Sequence, residues 1–208
     1  MLRDFNKRVV LGVSRLKSLL CRVISRLTTF QYGTVFIFRH QQLRKLTCPA
    51  EIHKVTWGNV DDARDMDSPE MISQYRSFLE SGDSGYYAYS KGTVRHRSWV
   101  KSGPGTAGCG LGVKFKLKDE DVYVHYCKTE PSARGKGIYS AVLSRITYDM
   151  HAMNKTVYIA TIESNPASIK GIEKAGFKPV RRVRSLVCFG VPVFQKECSI
   201  IDNVLSYS

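Results

Sequence analysis

The chain has 208 residues, 43% hydrophobic and 24% charged, with sixteen Gly and seven Pro; this is the make-up of an ordinary folded domain and excludes a disordered, collagen-like or coiled-coil protein. A chain of this length buries roughly 70% of its unfolded surface, which predicts one good core with room for an extension. Thirty-two Lys and Arg against eighteen Asp and Glu leave a net charge of +14, a balance that suits a nucleic acid, an acidic membrane leaflet or a phosphorylated cofactor.

The charge is concentrated at the start. Arg3, Lys7, Arg8, Arg15, Lys17, Arg22, Arg26, Arg39, Arg44 and Lys45 face only Asp4 among the first fifty residues. Val9–Val13 is the longest run there free of charged and polar residues, so neither a secretory h-region nor a membrane span fits. At about 100° per residue, Leu2, Phe5, Val9, Val13, Leu16, Leu20, Val23 and Leu27 fall within a wedge of about 80°, with Arg8, Arg15, Arg22 and Arg26 opposite. The pattern predicts a basic amphipathic helix over residues 1–30 and a folded domain over 31–208. Three readings of that helix stay open: it lies on an anionic membrane, it packs on its own domain or a second copy through residues 1–28, or it is a mitochondrial transit peptide. Nucleic-acid binding is not expected, because the segment lacks interleaved aromatics and any nucleic-acid motif. The six cysteines show no C-x-x-C and no metal-ligand spacing, so a reduced, cytoplasmic protein without a metal is expected, peripheral to the membrane under the first reading.

Downstream, the β-branched and aromatic run Thr34–Arg39 reads as a first strand and Ile52–Trp57 as a second extended piece. Ser68 before Pro69 marks the start of a helix running to about Glu80. Gly85–Gly92 and Thr93–Lys101 read as a hairpin turning at Lys91-Gly92. Its Tyr86, Tyr87, Tyr89, Arg95, His96, Arg97 and Trp99 suit either an acceptor pocket or, preferably, the packed and solvated faces of the hairpin. The glycines between Ser102 and Gly112 are read as a flexible hairpin loop, since no Lys-Ser/Thr or helix start follows them. Asp121–Thr129 and Thr156–Ile162 are further strands.

Between those strands the chain reads Glu130-Pro-Ser-Ala-Arg-Gly-Lys-Gly-Ile-Tyr139 and continues helically to about Met153. A strand, a short Gly-rich basic turn and a helix place successive N–H groups at the positive end of a helix dipole, which is an anion site. Gly135 and Gly137 allow close backbone approach, while Arg134 and Lys136 add charge. A second strand-helix unit follows, with Ser164 or Asn165 as cap, Pro166 just inside the helix and Gly176 ending it before Phe177.

Arg134-Gly-Lys-Gly-Ile-Tyr139, followed by Asn165, Ser168, Gly176 and Phe177, resembles the paired signatures of the GNAT superfamily of acetyl-CoA-dependent N-acyltransferases. The resemblance covers roughly Val122–Arg182. It implies an α/β (α+β) fold with a mixed, mostly antiparallel central sheet, a splayed strand pair and flanking helices, beside the N-terminal amphipathic helix. It implies acetyl-CoA as cosubstrate, with the backbones of Cys127 and Thr129 pairing with the pantetheine arm, the turn Arg134, Gly135, Lys136, Gly137, Ile138 and Tyr139 holding the pyrophosphate, and Asn165 and Ser168 lining the arm. The expected chemistry is direct attack of a primary amine on the thioester, the acceptor an amino sugar or small amine, with the Cys127 N–H stabilising the oxyanion. A non-catalytic acyl-CoA-binding sensor or scaffold is the alternative. His125 is the candidate base, placed by strand alternation on the face of Cys127, with Glu163, Tyr123 and water as rivals. The Cys127 side chain is read as a small hydrophobe. Two positions depart from the family pattern. Tyr139 stands where Gly or Ala is usual, and Ile172 stands where many members carry the proton-donating tyrosine, so the acid is unassigned among Tyr126, Tyr139 and Tyr158.

Overall fold

The computed structural model describes residues 30–198 and Ile200. The N-terminal helix expected over residues 1–30 therefore lies outside the described residues except for Phe30, which already belongs to a strand.

Among the described residues, ten strands and three α-helices follow in the order β1 (Phe30–His40), β2 (Glu51–Lys54), α1 (Pro69–Glu80), β3 (Ser84–Ser90), β4 (Thr93–Ser102), β5 (Gly105–Gly108), β6 (Lys114–Leu117), β7 (Asp121–Thr129), α2 (Ile138–His151), β8 (Thr156–Ile162), α3 (Pro166–Lys174), β9 (Phe177–Cys188) and β10 (Val191–Cys198). Eight of the strands form one sheet in the order β10-β9-β1-β8-β7-β4-β3-β2. Every pairing in it is antiparallel except β7 with β8. The remaining two, β5 and β6, form a separate hairpin, so the glycine-rich stretch expected as a flexible hairpin loop instead supplies one paired arm of a hairpin, Gly105–Gly108.

Strand alternation builds two apolar faces. Phe38, Tyr86, Ala88, Val100, Val122 and Val124 point to one face and are covered by Ile138, Val142, Leu143 and Ile146 of α2 and Ile172 of α3. On the opposite face, Tyr87 and Trp99 pack under α1 and the 3-10 turn Val60–Asp65, with Ile72 and Tyr75. Farther along that second face, Val35, Ile37, Tyr123 and Val183 are covered by Ala107, Phe115 and Leu117 of the β5–β6 hairpin. Each large side chain so removed from water contributes about 1.5–3 kcal/mol. The result is a sheet with helices on one side and, on the other, a helix and a hairpin separated by a space.

The helix starts follow their sequence punctuation. Pro69 and Pro166 sit in the first turns of α1 and α3, and the Asn165 side chain accepts from the Ser168 N–H to cap α3. Two strands were not anticipated: β9 and β10, which extend the sheet past β1.

Candidate active site

The parallel pairing of β7 with β8 runs from Asp121↔Thr156 to Val124↔Ile159 and stops there, although both strands continue. On its other side β7 stays paired with β4 as far as Thr129. The second half of β7 therefore presents a row of backbone groups without a strand partner to the gap beside β8. The splayed pair implied by the sequence resemblance is present.

Within that half lies a bulge. The β4–β7 register shifts between Arg97 and Trp99, opposite Tyr126, whose φ is 50°. An aromatic residue in the left-handed region costs about 1 kcal/mol or more and needs outside support. Arg97 supplies it by donating to the Tyr126 carbonyl with its guanidinium 5.8 Å from the Tyr126 ring centre. Arg97 is itself fixed, donating from Nε to Asp67 at 2.6 Å, while Lys128 and the Tyr75 hydroxyl donate to the same carboxylate at 2.7 Å. Burial alone would raise the Asp67 carboxyl, but these hydrogen bonds outweigh it and hold the group below its usual value.

The bulge corrects one expectation. His125 stacks on Tyr123 and meets Phe78 of α1 edge-on at 5.0 Å, and Tyr126 meets Phe78 at 4.9 Å, so both point to the α1 face. Cys127 packs with the α2–α3 core instead. Simple alternation placed His125 and Cys127 on one face; the extra residue at Tyr126 puts them on opposite faces.

Two cavities result. The one on the helical face has a volume of about 690 Å³ and is lined by Cys127, Thr129, Arg134, Gly135, Gly137, Ile138, Tyr139, Asn165 and Ser168, with Lys170 and Lys174 at its basic end. Gly135 and Gly137 have φ of 75° and 79°, the left-handed backbone that turns the chain into α2, and a Cβ on Gly137 would meet nothing nearer than Lys174 Nζ at 3.9 Å. Space over the N–H groups is thus open to an anion. Lys136 is exposed and does not line this cavity; the other expected cofactor residues do.

The second cavity, about 830 Å³, lies on the α1 face between α1 and the β5–β6 hairpin and is lined by Gln74, Ser77, Phe78, Ser81, Asp83, Lys101, Thr106, Tyr123, His125 and Tyr126 among others. His125 Nε2 lies 3.1 Å from Asp83 Oδ2, both side chains largely buried. Asp83 was missed in the sequence, where nothing ties the residue after the α1 turn to a strand 42 positions later. Cys127, Tyr139, Asn165 and Ser168 line both cavities, so these four mark where the two meet through the gap in the sheet.

Tyr139 occupies that junction. Its hydroxyl is 3.3 Å from Ser168 Oγ, and its ring lies so close over Gly171 that a Cβ there would sit 2.6 Å from Tyr139 Cδ1. The departure at Tyr139 is thus accommodated by a glycine on the facing helix. Burial first, with the neighbouring Cys127 also contributing, raises the Tyr139 phenol well above its usual value, so it is protonated at neutral pH. Ile172 is fully buried in the core and faces neither cavity. Burial pushes the Cys127 thiol up to about 11, which keeps it a thiol rather than a nucleophile. Behind it, Ser98 donates to Cys127 Sγ at 3.2 Å, and His96 bridges Ser98 and Thr129 at 2.8 and 2.7 Å. Burial, with the Arg97 charge beside it, lowers His96 to about 3.

The other candidates lie elsewhere. Glu163 pairs with Arg182 on the surface and Tyr158 packs on Phe115. Tyr86, Tyr87 and Trp99 are core residues, and Arg95 pairs with Glu130, so the β3–β4 hairpin is a packed element rather than an acceptor pocket. Among the described residues no cluster of three His, Cys, Asp or Glu has metal-binding geometry, and no helix is long and apolar enough to cross a membrane.

No protein-family model and no curated protein matches the sequence. Solved structures do match the fold. An acetyltransferase of the GNAT family from Colwellia psychrerythraea superposes with a TM-score of 0.58 at 19% identity over 78% of this chain and 58% of that one. A GCN5-related N-acetyltransferase-like protein from Streptococcus suis gives 0.55 at 11% identity, covering 82% and 66%. The glucosamine N-acetyltransferase region of a fungal multi-domain β-N-acetylglucosaminidase gives 0.53 at 10% identity, covering 82% of this chain and 22% of that one. The chain spans about three fifths to two thirds of the first two proteins. With the interrupted β7–β8 pairing, the glycine turn into α2 and the cap on α3 all in place, this chain has the GNAT acetyltransferase fold.

Proposed function

We propose that the protein transfers an acetyl group from acetyl-CoA to a primary amine by direct attack. The observation that carries the reading is the meeting of two cavities from opposite faces of the sheet at Cys127, Tyr139, Asn165 and Ser168. One cavity has the features a CoA thioester needs: open N–H groups at the start of α2, the cations Arg134, Lys170 and Lys174, and a strand edge without a strand partner.

Acetyl-CoA, when bound, supplies an activated carbonyl and a thiolate leaving group. In this reading the amides of Gly135–Tyr139 hold the pyrophosphate, and the edge of β7 at Cys127 and Thr129, which lacks a strand partner there and whose Thr129 carbonyl accepts from Arg134 Nε at 3.2 Å, aligns the pantetheine. The Cys127 N–H, presented past the bulge, donates to the carbonyl oxygen as negative charge develops there. From the other face, His125 takes the proton that the attacking nitrogen loses, with Asp83, 3.1 Å from its Nε2, orienting the imidazole. Tyr139 is the proton donor to the departing sulfur, being the one phenol that lines both cavities. Each group then exchanges its proton with water, so the reaction is proton-neutral overall. The free thiols of the described cysteines suit a reducing compartment such as the cytoplasm.

The acceptor cavity combines the rings of Phe78 and Tyr126 with Gln74, Ser77, Ser81 and Thr106. An apolar face with hydroxyl and amide partners around it suits a polyhydroxylated amine, and we assign an amino sugar as the acceptor class. The test is CoA release from acetyl-CoA by the full chain with hexosamines, polyamines and peptide amines. Release with a hexosamine at least tenfold faster than with the others is expected. Acetyl-CoA binding without release by any amine would replace the enzyme with a non-catalytic acyl-CoA-binding protein.

A further inference from the structure

We propose that the β9–β10 hairpin tip, with the start of β1, is a lipid-contacting surface that seats the protein on an anionic membrane. The inference is independent of the acetyl-transfer reading and rests on the far end of the sheet.

Register partners share a face, and here they make two apolar rows: Phe30 with Cys188 and Val191, and Tyr32 with Leu186 and Phe194. Phe30 is 69% exposed, Tyr32 66% and Val191 59%. The Phe30 and Phe189 rings lie 5.6 Å apart. Phe189 forms the tip with Gly190, at φ of 54° and 77°. Hairpin turns of this kind favour Asn, Asp and Gly at both positions; a phenylalanine there is strained backbone used to hold an aromatic ring out in solvent.

The charge around the patch selects the partner. On strands β1, β9 and β10, Arg184 and Lys196 are register partners beside the Tyr32 row, whereas Arg182 pairs with Glu163 and Arg39 and Lys178 lie at the far end of the strands. The one carboxylate of these three strands, Glu197, is taken up by Arg181 at 2.7 Å. Residues 1–29 bring seven more Lys and Arg against Asp4, and they join the fold at Phe30, a corner of the patch. The apolar rows thus border on the cations Arg184 and Lys196 and on the point where the most basic stretch of the sequence enters the fold. An anionic lipid surface satisfies both features at once, since aromatic and aliphatic side chains enter the interface while Arg184 and Lys196 stay among the headgroups. A nucleic acid would meet the cations and leave the apolar tip in water, and a second copy of the chain would set like charges against each other.

The experiment is sedimentation of the full chain with vesicles of phosphatidylcholine alone and of phosphatidylcholine with phosphatidylglycerol. Binding to the anionic vesicles is expected, and the double substitution Phe189→Ser, Phe194→Ser should weaken it about tenfold or more without lowering the melting temperature. Should that variant be unstable, Phe189→Trp provides a second reading. Its added emission should shift to the blue on anionic vesicles beyond the change of the wild type, whose Trp57 and Trp99 lie toward the opposite edge of the sheet. Undiminished vesicle binding by a stable Ser variant, or an unshifted emission from Phe189→Trp, overturns the proposal. So does the absence of vesicle binding, whether the chain then binds a DNA or RNA oligonucleotide or forms a dimer.

Discussion

The two cavities differ in how they are encoded. The helical-face cavity is shaped by Gly135, Gly137 and Asn165, which act on their own immediate chain neighbours through φ angles and a cap. The α1-face cavity is made of side chains drawn from α1, the β3 start, the β5–β6 hairpin and β7. Recognition by main-chain amides leaves a short, local signature, whereas a pocket of side chains is assembled only by the tertiary fold.

The largest effect that separates the two halves should come from the acceptor side. His125→Gln removes the proposed base and should lower kcat about 10²- to 10⁴-fold while leaving the affinity for CoA within about twofold, as read by steady-state kinetics beside calorimetry. A matching loss of CoA affinity would mean that the cavities are not chemically distinct.

Tyr139 belongs to both halves and sharpens the comparison. Tyr139→Phe should lower kcat about ten- to a hundredfold, toward the lower end of the range for general acid catalysis, with little change in CoA affinity and greater sensitivity to the leaving group when slower thioester analogues are compared. Equal loss with good and poor leaving groups would assign the ring a packing role against Gly171.

Smaller still is the effect expected behind Cys127. His96 binds its proton in the unfolded chain below about 6.5 but in the folded chain only near 3. Its contribution to stability is therefore complete above pH 6.5 and is lost as pH falls from there toward 3, with a slope of about 1.4 kcal/mol per unit. Chemical denaturation across that window should show the slope in the wild type and its loss in His96→Gln. The smallest change is expected for Cys127→Ala, which keeps the N–H and removes only the thiol; kcat within about threefold is predicted, and loss of activity would restore the sulfur as a nucleophile.

Much of the fold was legible because its elements carry local marks. Pro69 and Pro166 announce helices, Lys91-Gly92 turns β3 into β4, and Val122 with Val124 and Val157 with Ile159 recur at the two-residue period of a strand face. The strands β9 and β10 were not read, since Lys178, Arg181, Arg182 and Arg184 interrupt any apolar alternation and β10 is exposed along nearly its whole length. Of the ten residues expected around the cofactor, all but Lys136 line one cavity. In the α1-face cavity, the sequence singled out His125 but neither its partner Asp83 nor the face on which it lies. Asp83 reaches it through the tertiary fold, and the face depends on a bulge set by Arg97 and Asp67, residues whose contact has no trace in sequence spacing. Gly171 had no evident role until the ring of Tyr139 was seen above it.

Calorimetric titration of the full chain and of Gly137→Asp with acetyl-CoA reads out whether the amides of the turn into α2 hold a CoA thioester. Micromolar binding by the wild type is predicted. In a Gly137→Asp protein with an unchanged circular-dichroism spectrum, binding should be lost, because the carboxylate would stand where the pyrophosphate must lie. A folded wild type that does not bind acetyl-CoA, or a variant that binds it as well, would contradict the account.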